Sequence, residues 1–286
     1  MDIKVITVIG AGIMGRGIAH VAALGGFRTI LNDISPELLE SARSRIQSDM
    51  EKGVERGKLD VDKMTAALEL LSQTTDLADA ASHADLLIEA IPEKIDLKID
   101  IFSRLGEMAP KHAILASNTS GLSVTEMAAP SGRPGKFIGM HFFNPVHKMK
   151  LVEIIRGLET DDVTFETVQS VAVRMGKETV EINESPGFVT SRINALIGNE
   201  AFYMLQAGVG SARDIDKALK LGLNHPMGPF EMIDLVGLDT RLSILEFLHQ
   251  TLGEKYRPCP LLVKYVKAGR LGRKVGKGVY EYSQDT

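Results

Sequence analysis

Short apolar runs alternate with helical patterns through the first two-thirds of the chain. The apolar runs are rich in β-branched residues and predict strands at 4–10, 27–33, 84–91, 113–118 and 137–143, with a weaker candidate at 68–74. Between them, the spacing predicts helices at about 13–25, 36–56, 60–67, 94–109 and 123–129. Alternating strands and helices predict a parallel sheet with helices on both faces. The continuous apolar character of the strands fits this arrangement, because such strands are covered on both sides.

The pattern changes after the last of these strands. The apolar segment 150–157 follows a loop too short for a helical crossover, so it predicts a strand antiparallel to 137–143. A helix at about 164–175 and a strand at 177–183 are expected next.

A second domain is predicted to begin near residue 185. Ser185 is suited to cap a helix and Pro186 to its first turn, and only helical patterns follow to about residue 270. We therefore predict an α/β domain over 1–185, with a helical excursion at 36–67, and an all-α domain over 186–286. Long apolar helices of this kind commonly pack against a second copy of the chain, so we expect the second domain to form a dimer.

Composition narrows the class of protein. Of the 286 residues, 44% are hydrophobic and 24% are charged, as in a globular protein, and the net charge of −4 does not suggest nucleic-acid binding. The single cysteine, Cys259, excludes an internal disulfide and a cysteine-rich metal site. No apolar run has the length of a membrane span, and we find no secretory signal, so we expect a cytoplasmic protein.

The first strand leads directly into the loop GAGIMG and then into a helix. Gly10, Gly12 and Gly15 have the G-x-G-x-x-G spacing, in which the glycines permit a tight turn, close approach of a pyrophosphate, and close packing of helix and strand. Ile13 and Met14 open the helix, whose free N–H groups bind phosphate charge. The spacing alone is a weak signal. Because strand, loop, helix and strand occur in the required order, we predict a dinucleotide site.

Asp33 indicates which dinucleotide binds. It ends the second strand, at the spacing expected of a carboxylate that binds the ribose. A carboxylate there accepts a hydrogen bond from a free 2′-hydroxyl and repels a 2′-phosphate. We therefore predict NAD(H) rather than NADP(H).

Polar residues follow several of the other predicted strands. Ligands of an open parallel sheet bind outside the carboxyl ends of its strands. Besides Asp33, the residues expected at this edge are Glu89, Glu93, Asn118, Thr119, Ser120 and His141. Each alone fits ordinary loop chemistry, but together they favour a functional crevice.

His141 and Glu153 lie in the two strands of the predicted hairpin. Pairing about a loop centred on residue 147 places their side chains directly opposite each other. A carboxylate in that position fixes the tautomer of an imidazole and raises the basicity of its other nitrogen. The pair is a candidate acid/base for hydride transfer, and Ser120 is a candidate donor to the same substrate oxygen. The alternative is a core histidine with a structural hydrogen bond.

Several longer segments, taken from one end of the chain to the other, form a specific set. They are VIGAGIMGRGIA, IEAIPE, SNTSGLSVTEMA, GMHFFNPVHKMKLVEII, ESPGFVTSRI, NHPMGPFEMIDLVGLD and GRLGRKVGKGVYEY. Together they resemble the 3-hydroxyacyl-CoA dehydrogenases, in particular the free-standing bacterial enzymes that act on 3-hydroxybutyryl-CoA. The most specific part is HFFNPVxxMxLVEI with SNTS upstream.

The resemblance implies a Rossmann-type NAD-binding domain, a helical second domain that forms a homodimer, and interconversion of (S)-3-hydroxyacyl-CoA and 3-oxoacyl-CoA. It implies His141 as general acid/base next to the cofactor, with Glu153 orienting it. Ser120 would bind the 3-oxygen of the substrate, and Asn118 would lie by the nicotinamide ribose. The remaining positions assigned to the cofactor are Glu93, Lys98 and Lys274, and Asn144 is assigned to the substrate.

One departure from the family pattern lies in PGFVTSR. The family usually has an asparagine that reaches the substrate carbonyl, and this chain has Ser191 at that position. Asn194 lies nearly on the same face of the predicted helix, one turn along. Either Ser191 substitutes directly, or Asn194 or a water covers the gap; we favour Ser191.

Basic residues of the helical excursion are candidate contacts for coenzyme A. Lys52 and Arg56 are spaced i, i+4 and share a helix face, and Lys58 follows. Such a cluster is suited to phosphates, and basic residues of this helix contact CoA in the family. Glu51 and Glu55 are interleaved, so a solvated helix face of mixed charge is an equal alternative.

Two other functions fit the same scaffold. One is a sugar-acid dehydrogenase of the L-gulonate type, and the other is a non-catalytic NAD-binding protein. The second would need no acid/base, whereas His141, Glu153 and Ser120 are all present. The sequence therefore favours an enzyme.

Overall fold

The computed structural model describes residues 1–282. The chain divides between Ser185 and Pro186 into two compact units. The first unit combines a sheet with helices, and the second is helical. Residues 283–286, which the sequence analysis assigned to the second domain, lie outside the described residues.

Within the described residues, eight strands form one sheet in the first unit. In chain order they are β1 (Val5–Ile9), β2 (Arg28–Asn32), β3 (Leu71–Thr74), β4 (Leu86–Glu89), β5 (Ile114–Ser117), β6 (Phe137–Phe142), β7 (Leu151–Arg156) and β8 (Glu178–Asn183). Their order across the sheet is β3-β2-β1-β4-β5-β6-β7-β8. Strands β1 to β6 run parallel, β7 is antiparallel to β6, and β8 is parallel to β7. The hairpin of β6 and β7 is therefore where the direction of the strands reverses.

Helices connect the parallel strands, as right-handed crossovers require. They are α1 (Ile13–Leu24), α2 (Pro36–Glu55), α3 (Val61–Glu69), α4 (Leu77–Ser82), α5 (Ile95–Met108), α6 (Val124–Ala128) and α7 (Asp162–Arg174). A serine or aspartate side chain accepts a hydrogen bond from a free amide at the start of five of them, at Ser35, Asp60, Asp76, Ser123 and Asp161. Strands β4, β5 and β6 are buried along their whole length, which agrees with their apolar sequences.

Two local features of the first unit differ from the sequence prediction. Helix α3 continues to Glu69, so β3 is shorter than the run at 68–74. Helix α4 was not predicted. Its six residues, LADAAS, are too few to show a helical period, and the capping aspartate before them is a common loop residue.

The second unit contains helices α8 (Thr190–Gln206), α9 (Ala212–Gly222), α10 (Pro229–Val236), α11 (Leu238–Leu252) and α12 (Pro260–Lys267). Its core combines aliphatic and aromatic side chains, and within it Phe202 meets Phe230 edge to face with ring centroids 5.3 Å apart. None of the described helices has the length and apolar character needed to span a membrane.

The predicted start of the first helix of this unit is wrong. Ser185 and Pro186 precede a turn, and α8 begins at Thr190. Gly187 has φ 73° and Phe188 has φ 49°. Both values lie in the left-handed region, which a right-handed helix cannot include.

Candidate active site

The glycine loop joins β1 to α1 at the carboxyl edge of the sheet. Gly10 has φ 101°, and a β-carbon there would lie 2.8 Å from the carbonyl oxygen of Ala90. At Gly15 a β-carbon would lie 1.7 Å from the carbonyl oxygen of Gly10, so only glycine lets α1 pack this closely on the loop. At Gly12 a β-carbon would have no atom within 4 Å. Gly10 and Gly15 therefore serve the turn and the packing, and Gly12 leaves open space over the backbone.

The start of α1 is suited to a pyrophosphate. Gly12 caps the helix without a side-chain hydrogen bond, and its first turn, which includes Ile13 and Met14, has no acidic residue. The first amides of a helix have no acceptor within the helix, so they remain available to phosphate oxygens. These residues fit the diphosphate of a dinucleotide.

Asp33 is held against the glycine loop at the end of β2. Its Oδ2 accepts a hydrogen bond from the Ala11 amide at 2.7 Å, and its Oδ1 accepts one from the Ser35 amide at 3.1 Å. Each carboxylate oxygen can accept a further hydrogen bond. Asp33 is therefore oriented by the backbone and can still bind a ribose hydroxyl.

A buried charge network lies beside the loop, between β4 and α5. The ammonium group of Lys98 lies 2.6 Å from Oε1 of Glu89 and 3.1 Å from Oε2 of Glu93. Glu89 and Lys98 are fully buried, and Glu89 also accepts hydrogen bonds from the Ser117 hydroxyl and the Ile91 amide. Burial raises the pKa of Glu89, and the Lys98 charge and these hydrogen bonds oppose that rise.

The network extends to the segment after β5. Oε1 of Glu93 accepts hydrogen bonds from the Thr119 hydroxyl at 2.5 Å and from the Ser120 amide at 2.7 Å. Asn118 accepts a hydrogen bond from the Phe142 amide through Oδ1 at 3.0 Å, which ties this segment to β6. The side chain of Ser120 is exposed at the edge. Glu93 thus fixes the backbone that presents Ser120.

His141 and Glu153 face each other across the β6–β7 hairpin. The register pairs His141 with Glu153, as the sequence predicted. Nδ1 of His141 lies 2.7 Å from Oε2 of Glu153, and the two residues are 6% and 0% exposed. The ring of Phe143 packs on the imidazole, with centroids 4.5 Å apart. Because the carboxylate holds Nδ1, Nε2 is the nitrogen that can exchange a proton with a ligand.

These groups share one edge of one sheet. A dinucleotide loop, a ribose carboxylate, an exposed serine and a buried imidazole–carboxylate pair are the parts that hydride transfer at an alcohol carbon requires. Comparison with known proteins identifies the family. Residues 5–185 match the NAD binding domain of 3-hydroxyacyl-CoA dehydrogenase, and residues 187–282 match its C-terminal domain. The chain belongs to the 3-hydroxyacyl-CoA dehydrogenase family.

Individual relatives match over the full length of the chain. The probable 3-hydroxybutyryl-CoA dehydrogenase of Bacillus subtilis is 48% identical over 287 residues, covering 100% of both chains. The 3-hydroxybutyryl-CoA dehydrogenase of Bradyrhizobium diazoefficiens is 48% identical, covering 98% of this chain and 96% of the relative. The crystal structure of (S)-3-hydroxybutyryl-CoA dehydrogenase from Ralstonia eutropha has a TM-score of 0.96 at 40% identity, covering 99% of this chain and 100% of that chain. The predicted family, fold, cofactor NAD and enzyme class are confirmed.

Lys98 and Lys274 were both assigned to the cofactor by resemblance to this family. Lys98 is fully buried, and its ammonium group forms ion pairs with the carboxylates of Glu89 and Glu93. Lys274 lies in the second unit, where its ammonium group contacts both carboxylate oxygens of Asp239 at 2.6 Å. Contact of either residue with NAD stays a prediction.

The predicted substrate residues lie in different parts of the chain. Ser191 and Asn194 lie in the first turns of α8 in the second unit, and both are partly buried. Lys52 and Arg56 lie exposed at the end of α2, and neither forms an ion pair with a described residue. Asn144 is exposed in the turn after β6. The roles of these residues stay predictions.

The sequence did not predict how far the buried network around Glu89 and Lys98 extends. Glu89 was expected at the edge, but its contact with Ser117 and its burial with Lys98 were not predicted. The available signal was a glutamate within the apolar run ADLLIEAI, since a charge in a buried strand needs a partner.

Replacement of Lys98 should strongly destabilise the first unit. In Lys98→Met, Glu89 keeps a buried charge without its partner, which costs about 3–5 kcal/mol of unfolding free energy. Because burial raises the folded-state pKa of Glu89, the folded variant binds a proton more readily than the unfolded chain does, and the deficit should shrink as pH falls. Urea denaturation at several pH values measures both effects.

The matched control is Lys94→Met, four residues earlier and exposed. It should change the unfolding free energy by less than about 0.5 kcal/mol. Equal losses in the two variants would show that the buried ion pair is not the cause.

Proposed function

We propose that the protein interconverts (S)-3-hydroxybutyryl-CoA and acetoacetyl-CoA with NAD, using His141 as general acid/base. The names of the matching relatives from Bacillus subtilis and Ralstonia eutropha support the four-carbon ester. The observation that carries the acid/base role is the 2.7 Å contact between His141 Nδ1 and Glu153 Oε2 at the edge of the sheet where the glycine loop lies.

In the oxidative direction, Nε2 of His141 takes the proton from the 3-hydroxyl group. Bound NAD supplies the hydride acceptor for the substrate carbon. Glu153 stabilises the imidazolium that forms, because its carboxylate is buried at hydrogen-bond distance from Nδ1. In the reductive direction the imidazolium returns the proton to the alkoxide oxygen.

Ser120 is the proposed second contact to the reacting oxygen. Its hydroxyl is exposed at the carboxyl end of β5, next to β6 in the sheet, and Glu93 holds its amide at 2.7 Å. A fixed donor favours the charge that develops on the oxygen during transfer. Glu93 and Lys98 then act as positioning residues behind Ser120, besides any contact of Glu93 with the ribose. Asn118 supports the same segment and is the proposed neighbour of the nicotinamide ribose.

The second unit is proposed to contact the substrate and to form a homodimer. Ser191, in the first turn of α8, is the proposed replacement for the family asparagine at the substrate carbonyl, with Asn194 one turn along. Apolar side chains of this unit are exposed, including Leu221 at 76%, Val209 at 70% and Leu223 at 66%. Exposed apolar surface of this kind favours a second copy of the chain as partner. The cytoplasmic location stays a prediction.

The activity is tested by oxidation of NADH in the presence of acetoacetyl-CoA. Turnover with this ester, and none with L-gulonate and NAD, is expected. The carboxylate of Asp33 repels a 2′-phosphate, so kcat/KM with NADPH should be at least about tenfold lower than with NADH, a difference of about 1.4 kcal/mol. Oxidation of L-gulonate without turnover of the ester would overturn the proposed substrate, and absence of both activities would favour a non-catalytic protein.

Glu153→Gln should lower kcat while leaving KM for the ester and for NADH nearly unchanged. The amide keeps the shape of the side chain but removes the charge that stabilises the imidazolium, so kcat should fall on the order of 100-fold. Steady-state kinetics in both directions provides the measurement. Glu178→Gln, on the neighbouring strand β8 and exposed, is the control and should retain full activity. An unchanged kcat in Glu153→Gln would remove Glu153 from the mechanism.

Lys52→Ala should weaken the binding of coenzyme A esters specifically. If its ammonium group contacts a CoA phosphate, KM for acetoacetyl-CoA should rise roughly two- to fivefold, the value of an exposed charge pair. KM for NADH and kcat should not change. Lys63→Ala, an exposed lysine on the next helix, is the control. Identical kinetics of the two variants would leave Lys52 as part of a solvated helix face.

A further inference from the structure

Three side chains with metal-binding atoms, none of them part of the His141–Glu153 pair, converge in the first unit. They are His20 on α1, Asp49 on α2 and His147 in the turn between β6 and β7. One nitrogen or oxygen atom from each lies within 4.8 Å of the other two. The proposed reaction uses none of these groups.

The packing of the turn against α1 explains their proximity. A β-carbon at Gly17 would lie 2.8 Å from the side chain of Val146, so the missing side chain lets the turn approach the helix closely. His20 is three residues further along α1 and on the same face. Lys177 holds the turn from the other side by donating hydrogen bonds to the carbonyl oxygens of Val146 and Met149. His147 is therefore placed over His20 by backbone packing.

The three side chains are not satisfied by one another. Among residues 1–282, no hydrogen bond or ion pair joins these three side chains to one another. His20 is 4% exposed, but its ring nitrogens are not among the fully buried atoms that lack a partner, and the residue lines a cavity. The two imidazole rings lie nearly parallel, 9° apart, with centroids separated by 5.4 Å. A cavity of about 30 Å³ adjoins all three residues, which exceeds the roughly 10–15 Å³ that one water requires.

We propose that His20, Asp49 and His147 bind a divalent transition-metal ion, with Zn²⁺ as the best fit. Two imidazoles and one carboxylate are a common zinc donor set, in which a water completes the tetrahedron. The three atoms lie no more than 4.8 Å apart, so an ion at their centre would lie at most about 2.8 Å from each, and shifts of under about 1 Å give zinc bond lengths of roughly 2.0–2.2 Å. Imidazole donors disfavour Mg²⁺ and Ca²⁺, which prefer oxygen ligands.

The charges around the site set its strength. Asp49 supplies one negative charge, whereas Arg16, Lys148 and Lys177 supply positive charges that oppose a cation. The site should therefore bind zinc more weakly than a buried four-ligand site does.

The ion would have a structural effect. It would join the turn that follows β6 to α1 and α2, three elements that are separate in sequence. A ligand that binds only the folded state stabilises it by mass action. Zinc should therefore raise the melting temperature of the full chain, whether or not the proposed reaction is correct.

The test measures zinc binding to the chelator-treated full chain by isothermal titration calorimetry. The wild-type chain should bind one equivalent, and Co²⁺ in its place should give the visible absorption of a tetrahedral site. His147→Gln and Asp49→Asn each remove a ligand that is not fully buried, so both variants should fold. Each should bind zinc at least about tenfold more weakly, and zinc should no longer raise its melting temperature.

His112→Gln is the matched control, because His112 is an exposed histidine that contacts Asp85 elsewhere on the same unit. It should bind zinc as the wild-type chain does. Equal zinc affinity of the wild-type, His147→Gln and Asp49→Asn chains would overturn the proposal, and so would the absence of any metal-dependent stabilisation in the wild-type chain. Equal stabilisation by Mg²⁺ would overturn the assignment to a transition metal.

Discussion

The antiparallel pairing of β6 and β7 is the constraint on which the candidate active site depends. Strand β6 runs with the parallel strands, so its carboxyl end brings His141 to the edge where the glycine loop lies. Strand β7 returns beside it and presents Glu153 at the same level. A slip of one residue would turn the side chains of β7 to the opposite face of the sheet. The two polar partners can be buried only because the register brings them together, so sheet pairing and acid/base geometry are one requirement.

The buried ion pair of Glu89 and Lys98 both stabilises the first unit and helps to position Ser120 at the carboxyl edge of the sheet. Glu89 and Lys98 are removed from water completely, which is tolerable only because they contact each other and further donors. Lys98 in turn contacts Glu93, which holds the Ser120 amide. A serine on an exposed segment is thus attached to the core of the sheet through three charges. The exposed segment that carries Ser120 is therefore held in place by these hydrogen bonds and ion pairs, although it is not itself packed in the core.

The sequence predicted the features that follow from long patterns and short connections. The strands of the parallel sheet are continuous apolar runs, and the short β6–β7 loop left one natural register, so the contact of His141 with Glu153 could be derived. Helix α4 was missed because six residues show no period. The start of α8 was misplaced because Gly187 and Phe188 have positive φ, which interrupts a right-handed helix directly after Pro186. The dipeptide Pro186–Gly187 is a turn signal that the cap assignment at Ser185 overrode. The burial of Lys98 is a tertiary effect, since an isolated helix gives no reason to bury a lysine.

Two histidines close together in the chain, His141 at the end of β6 and His147 in the turn that follows, have different environments. Nδ1 of His141 lies 2.7 Å from a carboxylate oxygen, a distance that a proton bridges and that leaves no room for an ion. The nitrogen and oxygen atoms of His20, Asp49 and His147 are spread over distances up to 4.8 Å and form no ion pair, which is too far for a shared proton but close to the span of ligands around a metal. The distance between the ligand atoms, rather than the residue types, therefore decides whether a histidine–carboxylate group shares a proton or binds a metal ion. The same two residue types support a proton transfer in the paired strands and a cation site at the adjoining turn, because backbone packing sets the distances.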